Sequence, residues 1–214
     1  GVAGVRSQRG GVGRGRRMLA LACLVLLIAA LLPAGPVGAA EPLKLLAVGD
    51  SITRGFTGAP EPESTYRRYL AEHLVASREE VDFVGPDDTH PSPEHDYVDQ
   101  GRWDHDSLSV SGWTAAQARD AVGDATVTYQ PDVVLVMIGV NDLRTGSTAP
   151  ETAERVSELI GEARAQRSDL RFMIGEIPPA GPTWPSITVA EVEEYNGLLR
   201  DLAADLSTPG SPIL

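Results

Sequence analysis

Three short segments of this chain contain residue types that could support acyl transfer: Gly49–Thr53 (GDSIT), Ser111–Thr114 (SGWT) and Gly139–Asp142 (GVND). A serine hydroxyl such as that of Ser51 becomes a nucleophile when a base takes its proton. Attack on an ester carbonyl then places negative charge on one oxygen, which preorganised N–H donors stabilise. The side-chain amide of Asn141 is such a donor. These residue types would allow such chemistry if the fold brings them together, and otherwise Ser51 is merely part of a turn.

Two further residues in these segments have predicted supporting roles. Gly112 has no Cβ, so its backbone can approach a bound group closely. Asp50 can accept hydrogen bonds from nearby backbone N–H groups, and we expect it to hold the loop rather than to react. A single GDS or ND segment is an ordinary turn or helix cap in most proteins. The interpretation therefore depends on whether the fold brings the three segments together.

The pattern of apolar residues predicts a parallel sheet that does so. Short, apolar runs predict strands at Leu43–Val48, Val81–Gly85, Pro131–Asp142 and Leu170–Ile177. Helical spacing predicts helices at Ser64–Ser77, after a cap at Thr114, at Glu151–Arg167 and at Val189–Leu206. Alternating strands and helices form βαβ units with right-handed crossovers. The carboxyl ends of parallel strands share one edge, so Ser51 and Asn141 should meet there.

The order of these segments resembles that of the SGNH hydrolases, also called GDSL esterases. GDSIT matches the first block of that family, Gly112 in VSGWT the second and GVND the third, and the resemblance runs from Leu43 to the end of the sequence. It implies an α/β, three-layer, flavodoxin-like fold with a parallel sheet and with Ser51 as nucleophile. It also implies an oxyanion hole made by the backbone N–H groups of Ser51 and Gly112 and by the Asn141 amide. The α/β-hydrolase alternative requires G-x-S-x-G, which GDSIT does not match.

The same resemblance implies a catalytic base in a late D-x-x-H block that follows a fifth strand. The last histidine here is His105, so we expect the fifth strand, the base and the last helix to follow the closing SPIL in a longer reading frame. Two alternatives stay open. One of His90, His95 and His105 could substitute as base, or the domain could be an inactive SGNH-like module that binds a glycan or wall component. His73 fits a helical pattern and is predicted to be a surface or packing residue.

The first forty residues predict an export signal, which leaves residues 41–214 as the SGNH-like domain. The segment before the apolar run is basic, through Arg14, Arg16 and Arg17. The run itself, Met18–Leu32, is shorter than the roughly 20 residues that span a bilayer. Cleavage is expected after Ala40, and an uncleaved membrane anchor is the alternative. The single cysteine, Cys23, lies within this run, so the exported domain would contain no disulfide.

Charge limits the partners of such a domain. Removing residues 1–40 removes five arginines and no acidic residue, so the formal net charge moves from −12 to −17. Nucleic acid and anionic membrane surfaces are therefore excluded as partners. The stretch 86–110 is predicted to be a long surface loop. Its carboxylates could bind calcium, but they match no EF-hand spacing, and a solvated acidic loop is favoured: Asp87, Asp88, Glu94, Asp96, Asp99, Asp104 and Asp106.

The sequence thus predicts a secreted serine esterase that hydrolyses carboxylic esters through an acyl-enzyme on Ser51 and requires no cofactor. VDFVG, the long loop and SGWT look most like the carbohydrate-esterase branch of the family, which includes acetyl xylan esterases. That likeness implies acetyl groups on a polysaccharide, with lipid or small-ester hydrolysis as the alternative. Trp103 and Trp113 flank the end of the loop and could stack on a sugar ring, although Trp113 fits a core position equally well.

Overall fold

Five parallel strands organise the part of the chain that this computed structural model describes. The structure describes residues 41–55, 65–77, 80–88, 97–98, 101–102, 104–179 and 186–214. The strands of the sheet are β1 (Leu43–Gly49), β2 (Val81–Phe83), β5 (Leu108–Ser109), β6 (Val133–Met137) and β7 (Arg171–Ile174). A separate antiparallel pair is formed by β3 (Tyr97–Val98) and β4 (Gly101–Arg102). The helices are α1 (Ser51–Arg54), α2 (Tyr66–Ala76), α3 (Ala115–Tyr129), α4 (Val140–Arg144), α5 (Ala149–Gln166) and α6 (Val189–Leu206).

The strand order is that of a flavodoxin-like sheet. β1 pairs with β6 on one side, and β7 pairs with the far side of β6. On its other side β1 pairs first with β2, where Leu45 faces Phe83, and then with β5, where Val48 faces Leu108. The two short strands thus follow one another along the same edge of β1. The strand order reverses between β1 and β6, and folds of this type bind their ligands at such a topological switch point.

Alternate residues of the central strands enter two cores, which makes three layers. In β1, Leu46 and Val48 face the larger core, which also contains buried residues of α3, α5 and α6. Leu45 and Ala47 face the smaller core, which packs against Ala71 of α2. All four strand residues are buried. These layers confirm the predicted fold class.

The last residues of the chain lie beside β7 in the parallel direction. The N–H of Phe172 donates to the carbonyl of Pro212 at 2.9 Å, and the N–H of Leu214 donates to the carbonyl of Phe172 at 3.0 Å. This pairing agrees with the expectation that SPIL leads into a further strand. Within the described ranges, no helix combines the length and the apolar character that crossing a bilayer requires.

Two predicted elements are wrong in part. The stretch 86–110 is not wholly a surface loop, because Leu108 and Ser109 are buried in the sheet and Ser107 exchanges two backbone hydrogen bonds with Asp87. A strand of two residues is too short to show alternating apolar and polar positions in the sequence. It forms because Leu108 and Ser109 pair with the part of β1 that extends beyond β2. The strand predicted at Pro131–Asp142 ends at Met137. Asn141 consequently lies in the short helix α4.

The polarity of α2 also departs from its sequence pattern. Tyr69 occurs at helical spacing with the apolar residues of this segment but is 61% exposed, whereas Arg67 is fully buried. The helical period places Leu70 and Leu74 against the smaller core as expected. The arginine is buried because its hydrogen-bonding partners lie in two loops that approach the helix from other parts of the chain.

Candidate active site

Ser51 is the first residue of a one-turn helix at the carboxyl end of β1. Asp50 caps that helix, and its Oδ1 accepts a hydrogen bond from the Ile52 N–H at 2.9 Å. The helix ends at Gly55, whose φ of 98° is left-handed and whose N–H donates to the Ser51 carbonyl. Asp50 is fully buried, while Ser51 is partly exposed. The local fold therefore buries Asp50 and leaves Ser51 partly exposed.

Gly112 lies in a tight turn that follows β5. The Val110 N–H donates to the Gly49 carbonyl at 3.3 Å, which continues the β1–β5 pairing to the residue before the Asp50 cap. The Trp113 N–H then donates back to the Val110 carbonyl at 3.1 Å. Gly112 has a φ of 90°, which a residue with a Cβ adopts only with strain. This turn sets the exposed Gly112 backbone beside the end of β1.

Asn141 joins the three predicted segments through its side chain. Its Nδ2 donates to the Trp113 carbonyl at 2.9 Å and to Asp50 Oδ2 at 3.3 Å. Its Oδ1 accepts from Arg144 Nη1 at 3.2 Å, which fixes the orientation of the amide. The structure thus brings together the segments of Ser51, Gly112 and Asn141, which are far apart along the chain.

Asp142 was not singled out from the sequence, yet it links the second and third segments. It is fully buried; its Oδ2 accepts from the Ala115 N–H at 2.8 Å and its Oδ1 accepts from Arg155 Nη1 at 2.9 Å. Ala115 begins α3 directly after the Trp113 segment, so Asp142 caps that helix from another element. The only signal for this role in the sequence is that the residue next to Asn141 is acidic.

Tyr195 of α6 supports the backbone just before Asn141. Its buried hydroxyl donates to the Ile138 carbonyl at 2.9 Å. Gly139 follows with a φ of 118°, and a Cβ there would lie 2.4 Å from the Tyr195 oxygen. Burial raises the pKa of Tyr195, so the hydroxyl keeps its proton and remains a donor. A side chain at residue 139 is therefore excluded both by conformation and by space.

None of the described histidines is in hydrogen-bond contact with Ser51. His73 lies on the exposed side of α2. His105 is buried, and its carbonyl accepts a hydrogen bond from Arg67. His90 and His95 lie outside the described residues, as does Trp103. Trp113 is partly buried against the larger core. The described residues therefore include a candidate nucleophile and candidate donors, and they assign no base.

The acidic stretch was considered for calcium, and part of it lies outside the described residues. Among the residues that are described, no three His, Cys, Asp or Glu side chains gather as metal ligands. Burial raises the pKa of Asp104 to about 6, with added repulsion from Asp106 and Asp82. The described carboxylates are thus close enough to repel one another, without forming a ligand set.

Comparison with known proteins identifies the family. The sequence model of the GDSL-like Lipase/Acylhydrolase family matches residues 47–212. The chain belongs to this family. The match contains all three segments of the site, and it confirms the resemblance to SGNH hydrolases that GDSIT, Gly112 and GVND indicated.

Individual relatives of this GDSL-like domain include one curated protein and several solved structures. The chain is 29% identical over 197 residues to a multidomain esterase of Ruminococcus flavefaciens, and it spans a quarter of the length of that relative. A carbohydrate esterase family 3 protein from Talaromyces cellulolyticus superposes with a TM-score of 0.65 at 22% identity, covering 80% of this chain and 77% of that one. A family 3 carbohydrate esterase of Clostridium thermocellum gives 0.64 at 24%, covering 81% and 77%. Both structural likenesses support the fold.

The buried carboxyl of the GDSL-like segment should make stability depend on pH. Burial, aided by repulsion from Asp142, raises the pKa of Asp50 to about 6, against an opposing contribution from the Ile52 N–H. The native state therefore binds this proton more tightly than the unfolded chain does. The stability that Asp50 contributes is fully present below about pH 4 and is lost as the pH rises through about 6. We compare the free energy of unfolding of Asp50→Asn with that of wild type at each pH. The difference, variant minus wild type, should increase by up to about 3 kcal/mol between pH 4 and pH 7.

Urea unfolding at half-unit pH intervals measures this difference. Asp104→Asn serves as a second variant, because the pKa of Asp104 is raised in the same direction and its removal should reduce the slope independently. Parallel curves for wild type and Asp50→Asn would contradict the assignment of a raised pKa to Asp50.

Removing the arginine that neutralises Asp142 should destabilise the domain. In Arg155→Met the Asp142 carboxylate stays buried and loses the donor to its Oδ1, while the Ala115 N–H still donates to its Oδ2. We expect the free energy of unfolding to fall by about 1–3 kcal/mol. Arg119→Met is the matched control, since its partners Asp120 and Glu158 are exposed and a surface pair of this kind contributes little. Chemical denaturation of both variants tests the prediction, which fails if they lose equal stability.

Proposed function

We propose that this protein is an esterase that hydrolyses carboxylic esters through an acyl-enzyme on Ser51, with acetyl groups on a polysaccharide as its substrate class. The observation that carries the proposal is the amide of Asn141, which hydrogen-bonds to both Asp50 and Trp113 at the edge of the sheet where Ser51 begins α1. A nucleophile and three candidate donors of an oxyanion hole are thereby held in one place.

In the proposed reaction Ser51 Oγ attacks the ester carbonyl carbon while a base takes the hydroxyl proton. The carbonyl oxygen becomes an anion that the N–H groups of Ser51 and Gly112 and the amide of Asn141 stabilise. Collapse of this intermediate breaks the bond to the alcohol oxygen, which leaves with the proton from the base. Water then attacks the acyl-enzyme in the same way and releases the acid. The family resemblance implies that the base is the histidine of a D-x-x-H block.

The hydrogen bonds of Asn141 are compatible with this role. The bond to the Trp113 carbonyl is 2.9 Å long, and the bond to Asp50 is 3.3 Å long. The shorter bond fixes the plane of the amide, and the longer one is the weaker. We infer that the hydrogen directed toward Asp50 is the one that the substrate oxygen shares during the reaction.

Acetylated polysaccharide is favoured by charge and by the relatives. A domain of formal charge −17 repels acidic polymers and does not repel an uncharged acetylated glycan. The relatives named above include carbohydrate esterases and a multidomain esterase. Export before this reaction is part of the proposal, supported by the basic and apolar segments of residues 14–32.

The test combines a substrate panel with covalent trapping. The protein, produced from its whole reading frame, is incubated with acetylated xylan, p-nitrophenyl acetate and p-nitrophenyl octanoate, and released acid is measured. A fluorophosphonate probe is added in parallel, and the labelled peptide is identified by mass spectrometry. We expect acetate release from xylan and labelling on Ser51. Hydrolysis of octanoate alone would refute the acetyl proposal, whereas glycan binding without hydrolysis or labelling would identify an inactive binding domain.

A further inference from the structure

The side chain of Arg67 forms hydrogen bonds to four backbone carbonyls in two separate loops. The residue lies on α2 and is fully buried. Its Nε donates to the Thr53 carbonyl at 2.8 Å, and its Nη2 donates to the Arg54 carbonyl at 3.2 Å. Its Nη1 donates to the carbonyls of His105 and, at 3.3 Å, Asp106. One planar group thus occupies the space between the end of α1 and the segment that enters β5.

Both loops lead directly to the candidate active site. Thr53 and Arg54 are the last residues of α1, the helix that starts with Ser51. Carbonyls at the end of a helix have no partner within it, so Arg67 donates to both, and the Thr65 hydroxyl also donates to the Thr53 carbonyl at 2.9 Å. His105 and Asp106 precede β5, and the turn of Gly112 follows that strand. Arg67 therefore connects the support of the nucleophile with the support of one oxyanion donor.

Arginine is suited to this position in a way that lysine is not. A guanidinium has five N–H donors in a rigid plane, whereas a lysine ammonium offers three from a single point. Burying the charge is costly, and burial lowers the pKa of Arg67, which the negative charges of Asp87, Asp104 and Asp106 oppose. Four charge-assisted hydrogen bonds compensate for this cost.

We propose that Arg67 is a positioning residue that fixes the separation of Ser51 from the Gly112 N–H, and that it thereby controls the rates of acylation and deacylation, which both use that donor, rather than substrate binding. The proposal rests on the proposed function. A displacement of about 1 Å between reacting groups can lower a rate by about 10²-fold. Loss of the planar connection should therefore affect kcat and leave KM almost unchanged.

The decisive variants are Arg67→Lys and Arg67→Met, with Arg68→Lys as the control. Arg68 is the next residue on the same helix, and its Nε pairs with Glu72 one turn further along that helix at 3.1 Å. With p-nitrophenyl acetate we expect Arg67→Lys to lower kcat by about 10- to 100-fold with KM within about twofold of wild type. The labelling of Ser51 by the fluorophosphonate should slow by a similar factor. Arg68→Lys should stay within about twofold of wild type in both measurements.

Amide hydrogen exchange tests the connection without reference to activity. In Arg67→Lys we expect faster exchange at Gly55, whose N–H bonds to Ser51, and at Ser107 and Val110, which bond to Asp87 and Gly49. The same amides should be unchanged in Arg68→Lys. Unchanged exchange in Arg67→Lys, or an equal loss of kcat in the two lysine variants, would overturn the proposal. Arg67→Lys alone decides the question if Arg67→Met does not fold.

The two proposals fail in different ways. If Ser51 is not the nucleophile, labelling at Ser51 is absent in the wild type, and the exchange data still decide whether Arg67 holds the two loops. If Ser51 is labelled and Arg67→Lys is labelled at the wild-type rate, the proposed function stands and the role of Arg67 is refuted.

Discussion

Replacing Ser51 with alanine is expected to lower kcat/KM for ester hydrolysis by at least about 10⁴-fold, because the acyl-enzyme can no longer form. The fold should be retained, since Ser51 is partly exposed and Asp50 still caps α1 through the Ile52 N–H. Stopped assays of acetate release from acetylated xylan measure the effect. Thermal unfolding measures the retention of the fold.

A serine outside the site provides the control for this experiment. Ser168 is exposed and lies before β7, at the opposite edge of the sheet from Ser51, so Ser168→Ala should keep wild-type activity. If Ser51→Ala hydrolyses the ester at the wild-type rate, the serine mechanism is wrong. Loss of hydrolysis with retained glycan affinity would support the mechanism and would separate binding from chemistry.

Replacing Asn141 with alanine is expected to lower kcat by about 10²- to 10³-fold, because one of three proposed donors to the oxyanion is removed. KM should change little, since the negative charge exists only in the transition state. Asn141→Asp should lower kcat further. A carboxylate there donates no hydrogen bond, and it would face the carboxylate of Asp50 across a contact that is now 3.3 Å.

Asn141 also holds backbone in place, so a second buried asparagine is needed as control. Asn196 of α6 donates to the Ile177 carbonyl and accepts from the Ile177 N–H, both at 3.0 Å, and neither of these bonds involves the three segments of the site. Asn196→Ala should lower stability as Asn141→Ala does, while kcat stays within a few-fold of wild type. A similar loss of kcat in both variants would show that Asn141 acts only through the fold.

The sequence could predict the sheet and the meeting of the polar segments because both follow from local patterns. The apolar runs of β1 and β6 specify buried strands, and parallel pairing brings their carboxyl ends to one edge. That rule alone placed Ser51 near Asn141. Glycines at 112 and 139 fit the same reasoning, because each has a positive φ in a turn.

The residues that hold the site together could not be found in the same way. Arg67, Asp142 and Tyr195 each bond to backbone of a different element, and such a partnership depends on the path of the whole chain. No local period distinguishes a buried arginine from an exposed one. Its neighbour Tyr69 shows the converse error, since an aromatic residue at helical spacing proved to be exposed.

The succession of β2 and β5 along one edge of β1 has a consequence for how this domain can diversify. The chain leaves that edge after Phe83 and returns to it at Leu108, and the hydrogen bonds between Asp87 and Ser107 close the base of the excursion. Doubling the length of a flexible loop with fixed ends costs only about 0.6 kcal/mol. Sequence between Asp88 and Asp104 could therefore be exchanged for sequence of another length while the register of the sheet and the hydrogen bonds from Arg67 to His105 and Asp106 stay the same.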